Sequence, residues 1–207
     1  MARLLLVLYF GGQPTNSLLD GDTRQIDSLT RLHQFDFWVR EPGHLALALL
    51  KSFNGAPERA DEAHLRDALD RMLKDDQADI RRVVTPGGSR NMFEDLDYSL
   101  SFLTARALIS DRPSFTRSRQ HTHQIVLEAP GIKLVQQILD TCPLFQWYRA
   151  QCELVAAHFP RLEHYDLAMM TYLAPELSPA MVTTVPLIPY IRQRYEQLFG
   201  VVPHVNV

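Results

Sequence analysis

Apolar positions recur along this chain mostly at helical spacing, with two short interruptions. Residues 4–10 form an apolar run, predicted as a short helix lying on the body of the domain. Residues 11–22 are turn-rich and read as a connector. From about Thr23 or Ser28 to Arg40, Leu29, Leu32, Phe35 and Val39 are spaced by three and four, as on one buried helix face. Pro42 ends that helix, because its ring removes a donor and disfavours helix at Glu41. A second helix is expected over 43–53, with Leu45, Leu49 and Leu50 apolar. A third, over 62–74, sets Leu65, Leu69, Met72 and Leu73 against an acidic side of Glu62, Asp67 and Asp70.

The rhythm changes at 80–85, where Ile80, Arg81, Arg82, Val83 and Val84 predict a short strand, turned by 86–89. Asn91 with Glu94 three positions on fits the asparagine variant of a capping box. The helix it opens carries Phe93, Leu96, Leu100, Leu103 and Ala107 as a stripe. Residues 110–124 are polar and hairpin-like, 125–127 a strand, and 129–139 a further helix. Beyond them, Leu144, Tyr148, Cys152, Val155 and Phe159 make one helical stripe, and Leu162, Tyr165, Met169 and Tyr172 another. Pro175, Pro179, Pro186 and Pro189 punctuate the way to a last helix through Ile191, Tyr195 and Leu198, followed by an apolar tail.

This order predicts a mainly α chain with a small β-hairpin or sheet, of the α+β class. In finer terms it predicts a winged helix-turn-helix followed by a C-terminal helical extension. The expected divisions are an N-terminal helix and connector over 1–23, a winged-helix domain over 24–140, and the extension over 141–207.

Composition narrows the function. With 46% apolar and 22% charged residues in 207, a core can form. A net charge of -3 and a pI near 6.2 exclude a globally basic nucleic-acid coat, while leaving room for a local basic patch. Cys142 and Cys152 are too few for a disulfide scaffold or a thiolate metal cluster, and suit a cytoplasmic location. No stretch approaches the ~20 apolar residues that cross a bilayer, so no membrane partner is expected.

Catalytic signatures are missing. There is no G-x-G-x-x-G and no G-x-x-x-x-G-K-[ST], hence no such nest for nucleotide phosphates. H-E-x-x-H and G-x-S-x-G are absent, and His158 with Glu163 and His164 lacks the one-turn spacing that aims ligands at one zinc. A non-enzyme with no cofactor is expected; an active site assembled from distant positions is the residual alternative. His121 and His123 alternate on the hairpin and would share a face, but a solvated hairpin reads better than a metal site. Cys152 reads as a small core residue, and Asp75, Asp76 and Asp79 as a solvated helix end.

In a winged helix the helix before the hairpin is the one that enters the major groove. Here its first turn carries Glu94, Asp95 and Asp97, which suit a helix N-terminus but would face anionic DNA. These acids, with Trp38 and Trp147, are therefore candidates for partner binding. Arg81, Arg82, Arg90, Arg117 and Arg119 are candidates for contact with double-stranded DNA through its backbone, without sequence preference. A protein-interaction module leads. A homodimeric winged-helix transcription regulator is the alternative.

The stretch Leu29-Thr30-Arg31-Leu32, then Phe35-Asp36-Phe37, then Arg40, Glu41 and Pro42, resembles a helix of one bacterial group. Its members read leucine-threonine-lysine-leucine, then leucine-aspartate-phenylalanine, then arginine, an aromatic and proline. They are the small winged-helix middle components of three-component ABC/SMC-like ATPase defence systems of the Lamassu kind. Leu4-Leu5-Leu6 with Tyr9-Phe10, and the segment 103–109 leading into the wing, are also similar. The resemblance touches residues 1–140. It implies a non-catalytic accessory subunit that bridges a dimer of SMC-like ATPases beside a nuclease-type effector, in defence against phage or plasmid DNA. The subunit would hold the effector inactive until DNA engagement moves the ATPase heads.

Overall fold

Leu4, Leu5, Leu6, Val7 and Leu8 are buried in succession, so α1 (Ala2–Gly11) is enclosed on all sides. A helix without a polar face is a core helix; α1 lies inside its domain and not merely on it. The computed structural model describes residues 1–15, 22–55, 62–74, 96–115, 121–162 and 187–200. After α1 come β1 (Gln13–Pro14), β2 (Arg24–Ile26), α2 (Leu29–Arg40), α3 (Pro42–Gly55), α4 (Glu62–Lys74) and α5 (Asp97–Ala105). Then follow β3 (Ile109–Phe115), β4 (His121–Leu127), α6 (Ala129–Thr141), α7 (Phe145–Leu162) and α8 (Leu187–Phe199). The chain is mainly helical with a small four-stranded antiparallel sheet, an α+β arrangement.

The strand order is β1-β2-β4-β3. β3 and β4 form the hairpin, with Ile109 opposite Leu127 and Phe115 opposite His121. Residues 24–26 pair with 125–127, so a helix starting at Thr23 is corrected: that stretch is strand. Three residues are too few to show a period, and the pairing partner lies far along the chain. α2 begins instead after Ser28, whose hydroxyl accepts the Arg31 N–H at 3.1 Å and so caps the helix. Each outer strand carries a proline, Pro14 in β1 and Pro113 in β3. An outer strand tolerates proline because every second backbone donor points away from its one partner.

The chain divides into two compact units, each built from two segments. Unit 1 comprises Met1–Val39 and Phe93–Phe159, and unit 2 Arg40–Met92 and Pro160–Val207. The segment 24–140 thus contributes to both. In unit 1, Phe35 of α2 stacks on Phe159 of α7 at 5.2 Å between ring centres. Arg3 Nε donates to Asp36 Oδ1 at 2.7 Å, and the Asp36 side chain is 1% exposed. A carboxylate so enclosed needs such a partner. Gly131 lets α6 approach the sheet: a Cβ there would lie 2.4 Å from the Leu108 carbonyl oxygen, which already accepts the Glu128 N–H.

In unit 2, α3, α4 and α8 bury Leu45, Leu49, Leu65, Leu69, Ile191 and Tyr195. The Tyr195 hydroxyl donates to the Asp70 carboxylate, and Arg192 Nη2 donates to the Leu73 carbonyl at 3.2 Å. Burial and the Asp70 hydrogen bond both push the Tyr195 hydroxyl above its ordinary pKa. The expected strand over 80–85, its turn, the Asn91–Glu94 capping pair, Asp75, Asp76, Asp79, the stripe from Tyr165 to Tyr172 and the apolar tail lie outside the described residues.

Candidate functional site

α5 buries one of its nine residues, Leu103. Leu96 just before it is also buried, and these two anchor one side. The last turn closes on a left-handed residue, Ala107 at φ 54°. Leu108 N–H reaches the Leu103 carbonyl at 3.0 Å and Ala107 N–H the Thr104 carbonyl at 2.9 Å, the paired bonds of a Schellman ending. Ser99 and Leu100 are half-buried, and the other six residues of α5 are exposed. Tyr98 is 72% and Phe102 37% exposed, and the Arg106 guanidinium lies 5.0 Å above the Phe102 ring. At spacings of four, Tyr98, Phe102 and Arg106 share one face. The apolar stripe of this helix does not include the two aromatics; their four-residue spacing off that stripe is the signal for them in the sequence.

Beside this face, α5 and the sheet border a cleft of about 660 Å³. Leu29, Leu100, Ala105, Ile109 and Ile125 give it apolar walls, with Asp97, Asp111, Ser101 and Thr104 supplying the polar groups. Asp111 on β3 meets His123 on β4, whose Nδ1 lies 3.0 Å from both carboxylate oxygens. Elsewhere on the hairpin, Arg112 Nη2 donates to Glu128 Oε1 at 3.1 Å, and Ser110 Oγ donates to the same oxygen at 2.5 Å. The described charges of the hairpin are therefore largely matched within it, which weakens its pull on a phosphate backbone.

Of the acids named for partner binding, Asp97 sits in the first turn of α5 and is exposed, while Glu94 and Asp95 lie outside the described residues. Arg81, Arg82, Arg90, Arg117 and Arg119 lie outside them too. Trp38 is fully buried, edge-on to Phe37 at 5.2 Å, and belongs to the core of unit 1. Trp147 is half-buried in the first turn of α7, edge-on to Tyr148 at 4.9 Å, beside exposed Leu144. Among the described residues, Asp97, Trp38 and Trp147 thus sit on three different helices, α5, α2 and α7.

Cys152 is buried, and burial pushes its thiol well above the ordinary value; the Asp36 carboxylate adds to this and Arg3 opposes it. Such a thiol stays protonated and is a poor nucleophile. Among the described residues no group of three or more His, Cys, Asp or Glu could hold a metal ion. No described helix is long and apolar enough to cross a membrane. The chain matches no family model, and neither a curated protein nor a solved structure matches it.

Proposed function

We propose that unit 1 is a winged-helix module whose α5 face docks a partner protein, and that the chain is a non-catalytic accessory subunit. The observation that carries this reading is the exposure of Tyr98 and Phe102 on a helix that buries only Leu103. Aromatic side chains held out on a rigid element are the usual anchors of protein interfaces. Two features support the winged-helix form: within unit 1 a helix precedes the hairpin, and β2 pairs against β4 to give the order β2-β4-β3. The resemblance of residues 29–45 to the small subunit of Lamassu-type systems supplies the partner: a dimer of SMC-like ATPases, working with a nuclease-type effector against phage or plasmid DNA.

The test is co-expression with the products of the flanking genes, among which this reading expects an SMC-like ATPase. The wild-type protein is expected to co-purify with it, and Tyr98→Ala with Phe102→Ala to reduce recovery by about tenfold or more, as loss of interface anchors does. Full recovery of the double variant refutes the α5 interface, and solitary encoding without an ATPase neighbour refutes the assigned partner. Backbone contact with DNA is a separate surface of the same proposal. Arg117→Glu with Arg119→Glu is expected to weaken retention of the assembled complex on duplex DNA while leaving the ATPase bound, measured by salt-dependent filter binding.

An outward helix ahead of a hairpin also suits a homodimeric transcription regulator. That reading requires a footprint on a palindromic site by the protein alone. Asp97 at the leading turn of α5 and the paired charges of the hairpin count against it.

A further inference from the structure

We infer that Arg106, at the C-terminal end of α5, is the charged anchor of the docking face and takes an aspartate or glutamate of the partner protein, while apolar side chains of the same partner segment cover Tyr98 and Phe102. This rests on the reading of α5 as a protein-docking helix and adds the chemistry of what docks. Tyr98, Phe102 and Arg106 follow one another every four residues, about 6 Å apart along the helix axis. All three are exposed, Tyr98 by 72% and Phe102 by 37%.

Arg106 differs from other arginines of this chain in what it touches. Arg3, Arg112 and Arg149 each meet a carboxylate, and Arg24 and Arg192 donate to backbone carbonyls. The Arg106 guanidinium has the Phe102 ring at 5.0 Å and no oxygen acceptor among the described residues. A ring contact steadies the guanidinium without satisfying its five N–H donors as an oxygen does. A wholly apolar cover would bury that cation unpaired, which costs more than burying any neutral group. A carboxylate matches its planar fork, and one such pair needs no second cation. A phosphate backbone, by contrast, is held by a row of cations, and on the neighbouring hairpin Arg112 is already paired with Glu128. An acidic segment with apolar neighbours therefore satisfies both the rings and the guanidinium.

The experiment co-expresses the full chain with the products of the flanking genes and measures recovery of the SMC-like ATPase. Recovery is expected to fall about tenfold for Arg106→Ala and further for Arg106→Glu. A cation here also suits the negative end of a helix, a role lysine fills as well as arginine. Arg106→Lys is therefore expected to keep the wild-type melting midpoint but only part of the recovery, because lysine lacks the fork. It also supplies an ε-amine that a carbodiimide joins to a carboxylate in contact. Mass spectrometry is expected to find that amide link between position 106 and an aspartate or glutamate of the ATPase. Changing this acid to arginine is expected to restore recovery with Arg106→Glu. Circular dichroism checks that each variant folds, as expected at an exposed position.

Full recovery with Arg106→Glu, or carbodiimide links in the Arg106→Lys complex that spare position 106, would each overturn the inference. So would dependence of recovery on nucleic acid, seen as loss of the ATPase after nuclease digestion. Tyr98→Ala with Phe102→Ala keeps the two readings apart. Where that double variant loses the ATPase and Arg106→Glu does not, the docking face stands and the acidic segment falls. Where the wild-type chain recovers no ATPase, the broader reading falls and takes the inference with it.

Discussion

Two helices of nearly equal length in unit 1 stand at opposite extremes. α1 buries five consecutive side chains, whereas α5 buries one residue in nine. Composition already separates them, since α1 has one polar side chain, Arg3, while α5 has Asp97, Ser99, Ser101 and Thr104. α1 touches α6, β2 and β4, while α5 leans on β3. The contrast separates a pillar of the fold from an element held in place chiefly at Leu96, Leu103 and the Ala107 turn. An element of the second kind costs little stability to alter and is free to make contacts outside the chain.

The contrast breaks most visibly at α1. Leu6→Ala, at a side chain with no exposure, is expected to lower unfolding stability by about 2–5 kcal/mol in urea titration. Tyr98→Ala on α5 is expected to stay within about 0.5 kcal/mol. A loss at Tyr98 comparable to that at Leu6 would make α5 a structural element like α1.

Alkaline pH probes the dry interior around α1 through Cys152, whose thiol feels both Arg3 and Asp36. The folded protein holds this proton more tightly than the unfolded chain. Stability is therefore intact below the ordinary thiol pKa of 9.0 and falls as pH rises above it, by up to ~1.4 kcal/mol per pH unit for one proton. Tyr195 in unit 2 adds a drop of the same sign above 10.0. In denaturant titrations at stepped pH, Cys152→Ala is expected to flatten the slope between these two values.

The smallest effect concerns the end of α5. Ala107 occupies a left-handed conformation that favours glycine, so Ala107→Gly is expected to raise the melting midpoint slightly, by about 0.5–1 kcal/mol in stability. Partner binding should be unchanged. A loss of stability would show that the alanine methyl group packs usefully in the turn.

These contrasts also mark how far the sequence could be read. The helices over 29–40, 42–55, 62–74 and 129–141 follow from stripes of leucine and from Pro42, and the hairpin from its polar alternation and Ile125, Val126 and Leu127. β2 was illegible, because Arg24 and Gln25 give no apolar alternation and the strand exists through pairing with β4. The enclosure of α1 was legible in hindsight, since five apolar residues in a row leave no side for water. Nor could the pattern show that 1–39 joins 93–159 in one unit, because such contacts are tertiary and leave no period. For the site, the spacing of Tyr98 and Phe102 was present in the chain, but their exposure depends on which side Leu96 and Leu103 claim. The cleft needs α5, Leu29 and the sheet together, and no local run of residues announces it.

Pro14 and Pro113 give the sheet two blunt margins. Each flank is short of one backbone donor at its proline, which makes edge-to-edge pairing of copies less favourable there. Contact through side chains, where affinity can be tuned residue by residue, is favoured over an added strand at these two positions.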